Sequence, residues 1–169
     1  MATPIELYLV RHAIAAERGP DYPDDRRRPL TPDGIARWRK SVAGLRSAAV
    51  AVDLVLTSPL TRARQTADLL AAGLPGKPAV EEVAALAPGG AASAITEAIA
   101  RLGRRHRRLA LVGHEPDLGE LAARLLRARG SVPFKKGGVC RIDVDVATPG
   151  GPGTLRWCLT PRLLRKLAG

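Results

Sequence analysis

The 169-residue sequence is short of cysteine, histidine and aromatic residues, and each shortage excludes something. Its only two cysteines, Cys140 and Cys158, lack CxxC spacing, which excludes a disulfide framework and a thiolate metal site. Both are expected as buried free thiols. His12, His106 and His114 are the only histidines and form no Cys/His cluster with zinc spacing, so no metal is predicted. Aromatics make up 3%, too few to stack single-stranded bases. No apolar run is long enough to span a bilayer. The first residues lack the charged start, apolar centre and small-residue cleavage site of a signal peptide. These absences predict a soluble cytoplasmic protein without a membrane partner. Acid is also scarce beside base, with 16 Asp and Glu against 27 Lys and Arg, a net charge of +11. That charge draws anions. It is expected to be mostly solvated arginine, with a few arginines in a site and no specific nucleic-acid partner.

What the sequence holds is a series of short apolar runs that end in polar chemistry. Residues 5–10 read as a strand buried on both faces, followed at once by Arg11 and His12. Residues 52–57 give a second strand, ending at Ser58-Pro59, and residues 109–112 a third, ending at Gly113-His114-Glu115-Pro116. Residues 80–83 read as a short edge strand. Thr31 as N-cap and Pro32 as first helical residue open a helix to about Arg46, with Ile35, Trp38, Val42 and Leu45 on one stripe. Ser58 and Pro59 are read the same way for a helix over 60–72. Further helices are predicted over 91–102 and from Pro116 to a stop at Gly130. Residues 139–146 and 155–160 read as a hairpin, with a terminal helix over 161–168. Residues 13–29, mixing Asp and Arg with Gly19, Pro20, Pro23 and Pro29, form a loop long enough to be functional. The alternation predicts an α/β fold: one three-layer α/β/α domain over residues 1–169, with a mostly parallel sheet and an antiparallel C-terminal hairpin.

Open α/β sheets bind ligands at the carboxyl edge of their strands. Arg11 and His12, the Ser58–Arg62 stretch, and His114 all fall at that edge. Arg62 sits in a first helical turn, where a cation opposes the helix dipole and a bound anion would offset it. For Arg64 the plainer reading is a solvated helix former. Two arginines and two histidines around one point fit a phosphoryl group, whose transfer relies on positioning and charge stabilisation.

Residues 9–13 (LVRHA), 58–67 (SPLTRARQTA) and 112–116 (VGHEP), in this order, resemble the histidine phosphatase superfamily. The short chain, Arg28-Pro29-Leu30-Thr31 and Lys135-Lys136-Gly137-Gly138 resemble its SixA-type phosphohistidine phosphatase branch. The resemblance implies a metal-independent hydrolase with no cofactor. It implies that His12 is the nucleophile, forming a phosphohistidine intermediate, and that Arg11, Arg62 and His114 hold the phosphoryl oxygens. Arg28 is implied as an outer phosphate or substrate contact, and Ser58 is read as a cap only. Two departures stand out. Ala13 replaces the family's usual Gly, which is tolerable if φ stays negative. Leu86-Ala87-Pro88 follows Ala85, where related small phosphatases carry an acid, leaving Glu17, Glu81, Glu82, Glu115 and Asp117 as candidate general acids. An alkoxide leaving group needs a proton from such an acid. A phosphohistidine ring can take one from solvent, given an imidazole pKa of about 6.5. The expected substrate is therefore phosphohistidine on a protein. A small phosphorylated metabolite or other phosphoester is the enzymatic alternative, and a non-catalytic anion- or nucleic-acid-binding module the non-enzymatic one.

Overall fold

In the computed structural model, which describes residues 4–169, the apolar runs become a six-stranded mixed sheet. Its strands are β1 (Ile5–Arg11), β2 (Leu54–Thr57), β3 (Ala79–Glu82), β4 (Arg108–Gly113), β5 (Val139–Val144) and β6 (Thr154–Leu159), in the order β3-β2-β4-β1-β5-β6. The first four in that order run parallel. β5 is antiparallel to β1, and β6 to β5, which makes the C-terminal hairpin. Five helices cover the sheet: α1 (Pro32–Ser47), α2 (Thr61–Gly73), α3 (Ala92–Gly103), α4 (Asp117–Leu126) and α5 (Pro161–Leu167). No described helix is long and apolar enough to cross a membrane.

The central strands are apolar on both faces because both faces are covered. Leu7, Leu9, Leu109 and Leu111 share one core with Ile99 of α3 and Leu121 of α4. Tyr8, Val10, Ala110 and Val112 share the other with Trp38 and Val42 of α1, Leu70 of α2 and Leu164 of α5. Thr31 caps α1 as its position predicts, accepting the Gly34 N–H at 2.9 Å, with Pro32 in the first turn. Gly34 itself packs on the chain ahead of the helix: a methyl group there would overlap the Ile14 carbonyl.

Two local expectations fail away from the site. α4 closes at Leu126, on Arg127 in the left-handed conformation (φ 51°), with Ala128 N–H on Ala123 O at 2.9 Å. Gly130 lies in the turn beyond and does not stop the helix. Cys140 is buried, but Cys158 is exposed because β6 is the outer edge strand; both are free and face each other across the ladder.

The order β2-β4-β1 positions the site. Arg11 pairs with Gly113 and Thr57 with Val112, so the carboxyl ends of three neighbouring parallel strands open onto one edge. The loop over residues 13–29 closes beside them. Its base is pinned by the bridge between Ala15 and Leu30 and by the Ala16 N–H on Pro29 O at 2.8 Å. A short 3-10 turn, Asp25–Arg27, lies on its far limb.

Candidate active site

Backbone hydrogen bonds fix the three strand ends to one another. The His12 N–H reaches Gly113 O at 3.1 Å, and the Ser58 N–H reaches Val112 O at 3.0 Å. Residues 134–138 close over β1. The Arg11 N–H donates to Gly138 O, while the Gly137 N–H is shared between Arg11 O (3.1 Å) and His12 O (3.0 Å). Gly137 holds φ +78° to do so, a conformation that favours glycine. Ala13, which departs from the family's Gly, is not among the positive-φ residues and is accommodated, its N–H donating to Thr66 Oγ1 at 3.0 Å.

The sheet edge brings the rings of His12 and His114 to 5.2 Å, centroid to centroid, tilted by 53°. Both are buried, at 6% and 3% exposure. His12 Nδ1 lies 2.7 Å from Ala13 O. A carbonyl can only accept, so Nδ1 carries the hydrogen and Nε2 keeps a lone pair. Burial pushes the His12 pKa down from 6.5 to about 4, and the charges of Arg62, Arg11 and Lys136 push the same way, against the Ala13 hydrogen bond. His12 is therefore a neutral imidazole near pH 7.

His114 Nε2 lies 2.8 Å from Ser58 Oγ. That oxygen already accepts the Leu60 N–H at 3.2 Å. Its own hydrogen is thus free for Nε2, and we assign the His114 hydrogen to Nδ1 on this ground. Burial, then proximity to His12 and Arg62, lowers the His114 pKa to about 3. Ser58 therefore orients the His114 ring. It does not cap α2 at all: the helix starts at Thr61, Leu60 is its N-cap without a side-chain bond, and Pro59 lies outside it. The Ser58 hydroxyl is spent instead on the Leu60 N–H and on His114 Nε2.

The arginines come from three segments. Arg11 donates through Nη1 to Phe134 O at 2.7 Å. Arg62, with a side chain 4% exposed, meets a partner invisible in the motif reading, Asp25. Its Nη1 donates to the Asp25 carbonyl (2.9 Å) and its Nη2 to Asp25 Oδ2 (3.1 Å). Asp25 Oδ1 also takes Arg28 Nε at 2.7 Å and Arg18 Nε at 3.0 Å. Despite the opposing effect of burial, these guanidiniums hold the Asp25 carboxyl below the usual carboxylate range. Arg28 spends Nη1 on Ala16 O at 2.6 Å, so its bonds hold the loop and Asp25. The one legible sign of Asp25 was its i, i+3 spacing to Arg28, hidden in a run of mixed charge.

Behind these groups Thr66 ties helix to strand. Its hydroxyl donates to Arg62 O at 2.7 Å and accepts from the Ala13 N–H, and its carbonyl takes Trp38 Nε1 at 2.9 Å. Among the candidate acids, Glu82 pairs with Arg64 (3.3 Å) and Asp117 takes the Gly89 N–H (2.8 Å). Glu17 and Glu81 are exposed. Glu115 is raised by burial, held against that rise by Arg11 and by the backbone N–H groups of Gly119 and Phe134. Among the described residues no group of three or more His, Cys, Asp or Glu could hold a metal ion.

Three buried nitrogens around the pair, Arg11 Nε, Arg62 Nε and His114 Nδ1, have no hydrogen-bond partner. Two cations, a neutral donor and an imidazole lone pair make up the set of groups that receives a tetrahedral oxyanion with in-line attack at its centre.

Comparison with known proteins agrees with this chemistry. The family model of the histidine phosphatase superfamily (branch 1) matches residues 7–128. An uncharacterized protein of Picosynechococcus sp. is 44% identical over 119 residues, covering 70% of this chain and 71% of its own. Phosphohistidine phosphatase SixA of Escherichia coli (strain K12) is 28% identical over 160 residues, 93% and 94% of the two chains. A solved structure of the protein histidine phosphatase SixA complexed with tungstate superposes with a TM-score of 0.85 at 25% identity, covering 95% of this chain and 99% of that one.

Proposed function

The chain belongs to the histidine phosphatase superfamily, branch 1, and from that premise we propose that it is a phosphatase that removes the phosphoryl group from phosphohistidine on proteins through a covalent intermediate on His12. The observation that carries this reading is the state of His12: its only ring hydrogen is committed to Ala13 O, and its lone pair stands beside two arginines and His114.

Nε2 of His12 attacks phosphorus while the bond from phosphorus to the leaving nitrogen breaks. The electron pair of that bond returns to the leaving imidazole, which takes a solvent proton on its ring and departs neutral. As the new bond forms, positive charge grows on the His12 ring, and the Nδ1–H bond to Ala13 O holds and stabilises it. Arg11, Arg62 and His114 hold the three non-bridging oxygens, each offering an N–H that the chain leaves unpaired. Water then attacks the phosphohistidine, releasing phosphate and restoring neutral His12. Asp25 stands beside Arg62 and keeps its guanidinium oriented between turnovers.

The substrate class turns on the acids. Glu82 and Asp117 are engaged elsewhere and Glu17 and Glu81 are exposed, which favours a leaving group that needs no dedicated protein acid; Glu115, raised by burial and with Oε1 unpartnered, is the one acid the substrate comparison has to exclude. The test is to quench turnover and assay the enzyme for an acid-labile, alkali-stable phosphate, present in the native chain and absent in His12→Ala. Phosphohistidine and phosphoramidate are expected to turn over much faster than alkyl phosphates. Equal rates on both would require a proton donor and overturn the substrate assignment.

A further inference from the structure

A second cavity adjoins the site and has no part in the chemistry above. It lies between α1, α5 and residues 136–137, is open to solvent on one side, and has a volume of about 100 Å3. At about 30 Å3 per water, that is room for about three waters, enough for a carboxylate or phosphate group. Three cations line it, Arg37, Lys136 and Arg165, and no carboxylate does. Arg37 is paired with Asp33 at 2.8 Å, whereas Lys136 and Arg165 make no ion pair among the described residues. Ser41 also lines the cavity. It is 1% exposed, and its hydroxyl has no hydrogen-bond partner. Buried hydroxyls are almost always satisfied, so an unanswered one on a cationic wall points to an acceptor supplied from outside.

The cavity shares its wall with the phosphoryl site. Ala13 and Gly137 line it, and the same Gly137 N–H holds the carbonyls of Arg11 and His12. The Lys136 charge is felt at the His12 ring.

We propose that this cavity is a second anion subsite, which takes a carboxylate or phosphate carried by the substrate beside the phosphoryl group to be removed. Ser41 donates to one oxygen, and Lys136 and Arg165 supply the countercharge. The role in substrate choice rests on the phosphatase reading; the affinity for an anion does not.

Trp38 lines the cavity and supplies the probe. The chain has two tryptophans, so Trp157→Phe leaves Trp38 as the only indole. In that background, malonate is expected to change Trp38 fluorescence saturably. The change should survive His12→Ala and be lost in both Arg165→Gln and Ser41→Ala. No saturable change at tens of millimolar malonate, a change insensitive to Arg165→Gln, or one lost in His12→Ala would overturn the site. A kinetic arm separates the two sources of the anion. Arg165→Gln should raise KM about tenfold, the equivalent of about 1.4 kcal/mol, for either a phosphohistidine peptide with acidic neighbours or a small phosphorylated carboxylic acid. It should leave phosphoramidate and a neutral-flanked peptide within about twofold. Whichever anionic substrate responds identifies the source. Equal effects on all substrates, or none on either anionic one, would overturn the anchoring role. If the native chain turns over none of them, the phosphatase reading fails while the malonate titration still decides the site.

Discussion

If His12 attacks as a neutral imidazole, kcat/KM should persist far below the pH at which an ordinary histidine is lost. The lowering from 6.5 to about 4 comes first from burial and then from Arg62, Arg11 and Lys136. It corresponds to about 3 kcal/mol in favour of the neutral ring. At pH 5 a solvated imidazole would be about 3% neutral, whereas this one is about 90% neutral, a difference of about 30-fold in competent enzyme. The sign is fixed, because acid protonates the lone pair that must reach phosphorus. The assay is kcat/KM for phosphoramidate between pH 4 and 8 at constant ionic strength, corrected for ionisation of the substrate, since kcat/KM reports the free enzyme. The expected profile is flat to about pH 5, with its acid limb centred near pH 4. A limb near pH 6.5 would refute the reasoning, because it would mean that water and counter-charge reach the ring despite its 6% exposure. Lys136→Gln offers a control: removing that charge should move the limb upward.

The same two rings make stability depend on pH. Folded His12 and His114 stay neutral down to about 4 and about 3, while the unfolded chain takes up both protons near 6.5, so stability is complete above pH 6.5 and declines as pH falls from there. Urea unfolding at pH 7 and 5 should show the loss, and equal free energies would contradict it. Ser58→Ala removes the partner of His114 Nε2 and should lower kcat/KM by about 10- to 100-fold, whereas His114→Ala should cost more; an unchanged rate in Ser58→Ala would mean that the ring needs no such orientation. Asp25→Asn keeps the shape but leaves Arg18, Arg28 and Arg62 without their shared anion, and should destabilise the fold by about 1–3 kcal/mol in urea unfolding. Gly34→Ala, which improves helix propensity, should nevertheless cost about 1–3 kcal/mol by the same measure, because its methyl group meets the Ile14 carbonyl.

The sheet and its covering helices were legible because their signals are local. Thr31-Pro32 opens α1 as written, and the apolar runs at residues 5–10 and 109–112 become the central strands. Arg11, His12, Arg62 and His114 were legible as neighbours because parallel strands end on one edge. Ser58-Pro59 misled because the serine hydroxyl serves His114 Nε2 and the Leu60 N–H, and the helix begins only at Thr61. Gly130 misled because Arg127 accepted the left-handed turn first. Asp25 was illegible for a different reason. Nothing in a loop of alternating charge says which carboxylate will meet an arginine 37 positions later. The contacts that clamp Ala15 and Ala16 to Pro29 and Leu30, and Leu30 to Gln65, fold that loop back over α2.

Thr66 sets the tolerance of the whole arrangement. One hydroxyl spans α2 and the residue after His12, and Gln65 beside it takes the Leu30 N–H at 2.8 Å. Sliding α2 by a single position would swing Arg62 through about 100° and break both links at once. Insertions or deletions between β2 and α2 therefore have no graded effect. Natural variation in reach or specificity has to enter where length is free, at the tip of the 13–29 loop, whose two ends are already fastened together.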